Sequence, residues 1–279
     1  MKNSTVTAMY FSPTGTTQTV VSAIARTISE KILGKTQLAA NDFTLPQGRK
    51  ESAVFTEQDI VVLGVPVYAG RVPNVLLPYL NSLAGGGAKA VAIVVYGNRN
   101  YDDALIELGD ILQARGFTAV AAGAFIGEHS FSQTLAQARP DQNDLALAIE
   151  FASQAASKIR NQTQPASVVV TGSRPYRPYY MPRNEKNESV DFRRIKPKTN
   201  ADCIDCKLCA EVCPMGSIDY NDVSQVVGMC IKCGACIKKC PVQAKFYDDE
   251  NYVRHKRELE VDCARRREPE CFIEAGCKV

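Results

Sequence analysis

Eleven cysteines lie between Cys203 and Cys277 of a 279-residue chain, and eight of them have a spacing that carries chemistry. Cys203-x2-Cys206-x2-Cys209-x3-Cys213-Pro214 is followed by Cys230-x2-Cys233-x2-Cys236-x3-Cys240-Pro241, the same pattern displaced by 27 residues. An internal repeat with four cysteines and a proline in register implies two copies of one structural unit, related by a pseudo-two-fold axis. Three thiolates on one tight loop can cap three irons of a cubane. The fourth iron then needs a ligand from a distant segment, which is how paired runs of this spacing bind two 4Fe-4S clusters. The resulting sets are Cys203, Cys206, Cys209 and Cys240 for cluster one, and Cys230, Cys233, Cys236 and Cys213 for cluster two. Zinc is the plain alternative, but a tetrahedral ion takes its ligands in pairs and has no use for the third cysteine of each run. Disulfides need an oxidising compartment, and Met1 to Tyr10 lacks the basic and apolar regions of an export signal.

Small residues flank the ligands (Ala210, Gly216, Gly234, Ala235), as a loop requires whose backbone N–H groups must approach cluster sulfurs. Each oxidised cubane with four thiolates carries about −2, so two of them turn the chain's formal +3 into about −1. The cysteine-rich stretch has little apolar material of its own, and without iron it is expected to be largely unfolded.

Upstream the character changes. Residues 1–160 hold no cysteine and alternate apolar strand-like runs with longer helical stretches, the pattern of an α/β domain. Residues 161–200 read as a Pro-rich and basic connector, 201–246 as the cluster module, and 247–279 as a charged, partly helical tail. Within the connector, Val168-Val169-Val170 is β-prone and is expected to pack on a domain. In the first domain, Val6 to Phe11 reads as a buried strand, and Ser12-Pro13-Thr14-Gly15-Thr16-Thr17 opens an amphipathic helix reaching about Lys31. A strand, a turn rich in hydroxyls and glycine, and a helix N-terminus make an anion site, because free N–H groups and the helix dipole converge there. With no lysine in this loop, a monophosphate suits it better than a triphosphate with Mg²⁺. Gly34-Lys35-Thr36 and Gly85-Gly86-Gly87 stand in the wrong context for nucleotide loops, and no nicotinamide site is visible. Ile60 to Val65 and Ala90 to Val95 are apolar on both faces, as in parallel sheets covered by helices. The loops after them join the anion loop on one rim, where such sheets bind ligands.

Three loops carry a resemblance. Tyr10 to Thr17, Pro66 to Pro73 and Tyr96 to Tyr101 resemble the FMN-binding loops of flavodoxin-like proteins. Joined to the cluster module, the chain is similar to the flavodoxin–ferredoxin fusion proteins of anaerobic bacteria and archaea. The resemblance covers roughly residues 5–245. It implies a doubly wound five-stranded parallel sheet of order 2-1-3-4-5, followed by a small α+β bacterial ferredoxin domain with two 4Fe-4S clusters. Carried over, Ser12, Thr14, Gly15, Thr16 and Thr17 would hold the FMN phosphate. Tyr68, Ala69 and Gly70, with Pro66 and Val67 beside them, would border the isoalloxazine on one side. Gly97, Asn98, Arg99 and Tyr101, led in by Tyr96, would contact its pyrimidine edge or opposite side. Many flavodoxins stack a tryptophan on the flavin; this chain has none, and a tyrosine would have to serve.

Other residues have weaker claims. His129, one of two histidines, follows the fifth strand (Thr118 to Ile126) on the same rim and could shuttle a proton to the flavin. Arg71 and Arg99 could neutralise a reduced flavin. Cys263, Cys271 and Cys277 are spaced too widely for a cubane loop and read as core or surface thiols. The balance of 33 basic against 30 acidic residues argues against nucleic acid, and no apolar run approaches the ~20 residues of a membrane span. The chain therefore reads as a cytoplasmic oxidoreductase coupling one-electron clusters to a flavin that takes one or two electrons. Its expected partner is a redox protein such as a ferredoxin, and a small molecule could react at the flavin. A non-catalytic carrier and a redox or oxygen sensor are the rival readings. Oxidation of the reduced protein by small molecules alone would mark an enzyme, whereas stable reduction until a protein partner arrives would mark a carrier.

Overall fold

The computed structural model describes residues 4–36, 38–161 and 167–273. Its N-terminal part alternates strand and helix: β1 (Val6–Tyr10), α1 (Thr16–Leu33), β2 (Ala39–Asp42), β3 (Ile60–Pro66), α2 (Leu77–Leu80), β4 (Lys89–Tyr96), α3 (Ala104–Ala114), β5 (Thr118–Ile126) and α4 (Gln142–Asn161). The cysteine-rich part follows with β6 (Lys198–Thr199), α5 (Leu208–Glu211), α6 (Ala235–Lys238) and β7 (Lys245–Phe246). The tail supplies α7 (Glu250–Asp262) and β8 (Glu270–Phe272).

Apolar residues at Val20, Val21, Ile24 and Ile28 give α1 one continuous stripe. That stripe and the Phe151, Ala155 and Ile159 side of α4 cover one face of the sheet, while Leu105, Leu108 and Leu112 of α3 cover the other with Leu76, Leu80 and Leu83. The Gly34-Lys35-Thr36 tripeptide begins at the left-handed C-cap of α1. The strand order is β2-β1-β3-β4-β5-β8. Its first five members are parallel and in the flavodoxin-like order expected. The sixth is a correction: β8 pairs antiparallel with β5, so the tail is a sheet edge as well as a helix. A strand of three residues carries too little periodicity to be read beforehand, and it covers an edge that would otherwise expose β5.

Among its described residues the connector has no long regular element, yet it is fastened at several points. Val168 N–H donates to Ala119 O at 2.7 Å, and Val168 and Val170 pack on the core beside α3, as the β-prone run implied. Arg177 forks onto the buried Asp103 and Arg174 onto Asp110, both carboxylates lying at or on α3.

The 27-residue repeat holds at the level of backbone geometry. Left-handed residues recur at Asp205 and Lys232, at Lys207 and Gly234, and at Gly216 and Gln243. Helices α5 and α6 occupy equivalent positions, and the Ile218–Val226 bridge repeats the Thr199–Lys245 pairing of β6 with β7. Among the described residues no helix is long and apolar enough to cross a membrane.

Candidate functional site

The turns of the repeat split the eight cysteines into two groups. Cys203, Cys206, Cys209 and Cys240 line one small cavity, and Cys213, Cys230, Cys233 and Cys236 line another. Each cavity thus takes three cysteines from one run and the fourth from the other copy. The fourth cysteine is oriented alike in both: Ser217 N–H donates to Cys213 Sγ at 3.3 Å, and Ala244 N–H to Cys240 Sγ at 3.2 Å. Among the described residues, no three of His, Cys, Asp and Glu converge to hold a single metal ion. Burial pushes the Cys233 thiol up to about 12, with Cys213 and Cys230 adding to the shift, and burial drives Cys236 up as well. Four thiolates gathered in each cavity would need a cationic guest to balance their charge, which fits the donor set to a metal cluster.

The second cavity lies against the sheet rim. Gly234, left-handed at φ 74°, passes so close to the β5–α4 loop that a Cβ there would stand 2.6 Å from Ser130 O. Glycine is therefore required for that approach. Lys238 pairs with Glu128 at 2.8 Å on the same loop, and Arg49 reaches from Phe43 O and Thr44 O to Pro214 O.

On the rim, Gly15 (φ 96°) caps α1, which has no acidic residue in its first turn. Thr44 Oγ1 takes the Ser12 N–H at 2.8 Å, while Ser12 Oγ accepts from Gln18 N–H at 2.9 Å. Ser12 thereby shapes the loop, and Thr14, Gly15 and Thr16 form its half-buried mouth, with Thr17 buried behind. Neutral donors at the N-terminus of an 18-residue helix fit a phosphate monoester.

A cavity of about 210 Å³ opens beside the β3 and β4 loops. Val67, Tyr68, Ala69, Arg99 and His129 form one side, and Ile231 and Lys232, between two cysteines of the second cavity, form another. Tyr180 and Phe192 of the connector and His255 and Leu259 of α7 close it, so that with Tyr68, His129 and Phe131 several flat rings line its walls, a surface on which a planar ring can stack. Burial raises the Tyr68 phenol well above its usual range, and Cys233 and Cys230 are the charged neighbours that add to the shift.

Two expected flavin contacts have other partners. Asn98 is buried and its amide is spent on the tail, donating to Cys263 O at 2.6 Å and Arg265 O at 3.0 Å and accepting from Arg267 N–H at 3.2 Å. Tyr101 donates to Glu270 at 3.0 Å and packs on Tyr96, so both rings serve the tail side of the rim. Gly70 lies in the turn that pairs Tyr68 with Arg71, and Arg71 forks onto Glu107 rather than facing the cavity. Pro66 ends β3. Of the tail thiols, Cys271 is buried in β8, Cys263 is half-buried, and Cys277 lies outside the described residues.

His129 Nδ1 accepts the Phe131 N–H at 3.1 Å. Burial lowers its pKa to about 4, helped by the charges of His255, Lys238 and Arg99. The folded protein therefore binds fewer protons here than the unfolded chain between about pH 6.5 and 4, so this contribution is complete above that window and lost as the pH falls through it. His129→Gln is expected to reduce the destabilisation between pH 7 and pH 5 by about 2 kcal/mol relative to the parent protein. Denaturant melts at the two pH values check this; equal losses in both proteins would exclude it.

The cavity walls missed in the sequence come from the connector, the cluster loop and α7. Only α7 carried a signal, the stripe of Tyr252, His255 and Leu259 at helical spacing.

Among curated proteins nothing matches the chain. A solved structure described as a flavodoxin from the domain Archaea is 16% identical, with the alignment covering 57% of this chain and 99% of its own, at a TM-score of 0.35. The domain family described as a 4Fe-4S dicluster domain matches residues 162–258, so the chain carries a 4Fe-4S ferredoxin-type segment after its flavodoxin-like sheet.

Proposed function

We propose that this protein moves electrons between two 4Fe-4S clusters and an FMN, coupling one-electron to two-electron chemistry. Cubanes supply single-electron transfer, and a flavin stores one or two electrons. The cysteines of each cavity act as the ligands of one cluster. Thr14, Gly15 and Thr16 at the head of α1 grip the phosphate, Ser12 holds that loop in shape, and Thr17 backs it. The flavin ring occupies the aromatic cavity, with Tyr68 and Ala69 along one side and Arg99 nearby as a counter-charge. The partner that delivers electrons is a one-electron redox protein, and it meets the cluster module.

One observation carries this reading. Ile231 and Lys232, which lie between Cys230 and Cys233, are themselves walls of the cavity that also contains the β3 and β4 rim loops. Cys206, by contrast, is exposed to solvent, so the two cysteine sets have unequal roles: one faces outward and the other faces the rim. His129 serves there as a neutral, hydrogen-bonded wall residue.

Cys203→Ala, purified anaerobically, provides the test. The expected result is retention of FMN at the parent stoichiometry, with flavin reduction by a reduced ferredoxin slowed by an order of magnitude or more. Reduction at the parent rate would refute the relay, and absence of FMN from the parent protein would refute the assignment of the rim.

A further inference from the structure

Tyr220 and Tyr247 hold the same place in the two copies of the repeat, 27 residues apart, yet they are used differently. Tyr220 is 56% exposed, with the Lys207 ammonium 5.9 Å from its ring centre. Tyr247 turns inward. Its hydroxyl lies 3.4 Å from Cys230 Sγ, and its ring packs on Tyr252 at 4.2 Å between centroids. Tyr252 in turn meets Phe131 at 4.8 Å, a wall of the rim cavity.

The two cysteine sets differ in exposure, Cys206 being open to solvent, but share several polar neighbours. Backbone N–H groups reach Cys213 and Cys240 alike. The buried ammonium of Lys245 acts on Cys209 and on Cys236, one cysteine from each set. Lys207 is paired with Asp205 on the exposed side. Asp205 has Lys232 as its counterpart, whose ammonium is held on Cys230 O at 2.9 Å and favours electrons on the same side as Tyr247 does. Among the described residues, the hydroxyl of Tyr247 is a side-chain donor to a ligand sulfur that its repeat twin Tyr220 does not supply.

We propose that Tyr247 donates a hydrogen bond to Cys230 Sγ and thereby raises the reduction potential of the site formed by Cys213, Cys230, Cys233 and Cys236, an effect its twin does not receive. This rests on the ligand sets given above. A ligating cysteine is a thiolate without a proton, so the phenol is the donor and the sulfur the acceptor. Each electron taken from a one-electron reductant adds one negative charge to a site. A donor aimed at its sulfur stabilises that added charge, and the effect is confined to the site it touches.

Tyr247→Phe removes the hydroxyl and keeps the ring packed on Tyr252. The full-length protein, first shown to contain about eight irons, is titrated with dithionite and followed by EPR. In Tyr247→Phe one midpoint is expected to fall by a roughly three- to tenfold change in its reduction equilibrium, tenfold being about 59 mV for one electron, while the other stays in place. Tyr220→Phe, its repeat twin, is expected to move neither. With the irons present, an unmoved midpoint in Tyr247→Phe, an equal shift of both midpoints, or the same shift in Tyr220→Phe would overturn the role of Tyr247 alone. Fewer irons in the parent protein would overturn the ligand sets and this inference with them.

Discussion

Removal of iron by chelation under oxidising conditions is expected to abolish amide protection across residues 198–246 and to leave β1, β3, β4 and β5 protected. The reason lies in how apolar burial is divided. The two large core clusters draw almost entirely on the sheet and its helices, from Val6 to Ile159, with Cys271, Phe272 and Ile273 of the tail joining them. The cysteine-rich part buries few apolar side chains of its own, among them Ile218, Val223, Ala235 and Ala244, and its strands and helices are two and four residues long. Helices this short do not persist alone, because nucleation costs more than one turn returns. The positive charge that allows buried thiols such as Cys233 to ionise together is therefore also what holds the turns in place. Loss of docking follows, since Gly234 and Lys238 meet the rim loop only when their own turn is formed. Cys233→Ala is expected to reproduce the effect in the half of the module facing the rim. Hydrogen exchange resolved by peptide makes the measurement, and an iron-free protein that keeps 198–246 protected would contradict it.

Arg139→Ala is expected to cost the sheet domain about 3 kcal/mol of stability, the low end of what breaking a buried ion pair costs. Arg139 is 5% exposed and Asp144 is fully buried. The guanidinium forks onto the carboxylate through Nε at 2.8 Å and through Nη2, and its Nη1 donates to Arg267 O at 2.7 Å. Without Arg139, the carboxylate keeps the Asp141 N–H and a partly exposed Arg266 at 3.5 Å, which spare it the full penalty. The start of α4 and the tail lose a common anchor, so protection at β8 is expected to fall with global stability. Replacing both partners, Arg139→Met with Asp144→Leu, is expected to recover most of the loss because no buried charge is then stranded. Denaturant melts of the three variants decide it; a single variant within 0.5 kcal/mol of the parent, the size of an ordinary surface change, would show that the pair carries no such weight.

The two histidines show where sequence reading succeeds and where it stops. His129 could be placed on the rim because it follows a strand whose apolar run is unambiguous, and position beyond a parallel strand is a local property. His255 lies 126 residues later in a helix dominated by charged side chains, yet it stacks on Tyr180 and faces Phe131 and Phe192. Tyr180 itself arrives there because Arg177 is held by Asp103 and because Tyr180 N–H donates to Ala69 O at 2.9 Å. Asn98 shows the opposite case. Its loop was expected at the flavin edge, and its buried amide instead finds its partners in the tail, at the carbonyls of Cys263 and Arg265.

The amino-acid sequence by itself determined the two cysteine runs, their repeat, the strand-loop-helix at Ser12–Thr17 and the parallel core strands, because each rests on covalent spacing or on a periodicity within a single element. The tertiary structure alone decided that the Cys230 loop, rather than its twin, faces the rim, that the connector and α7 wall the aromatic cavity, and that the tail adds a sixth strand. Those outcomes depend on surfaces brought together across a hundred residues or more. Their signals are single charge pairs and a close backbone approach at Gly234, which acquire meaning only once both partners are folded.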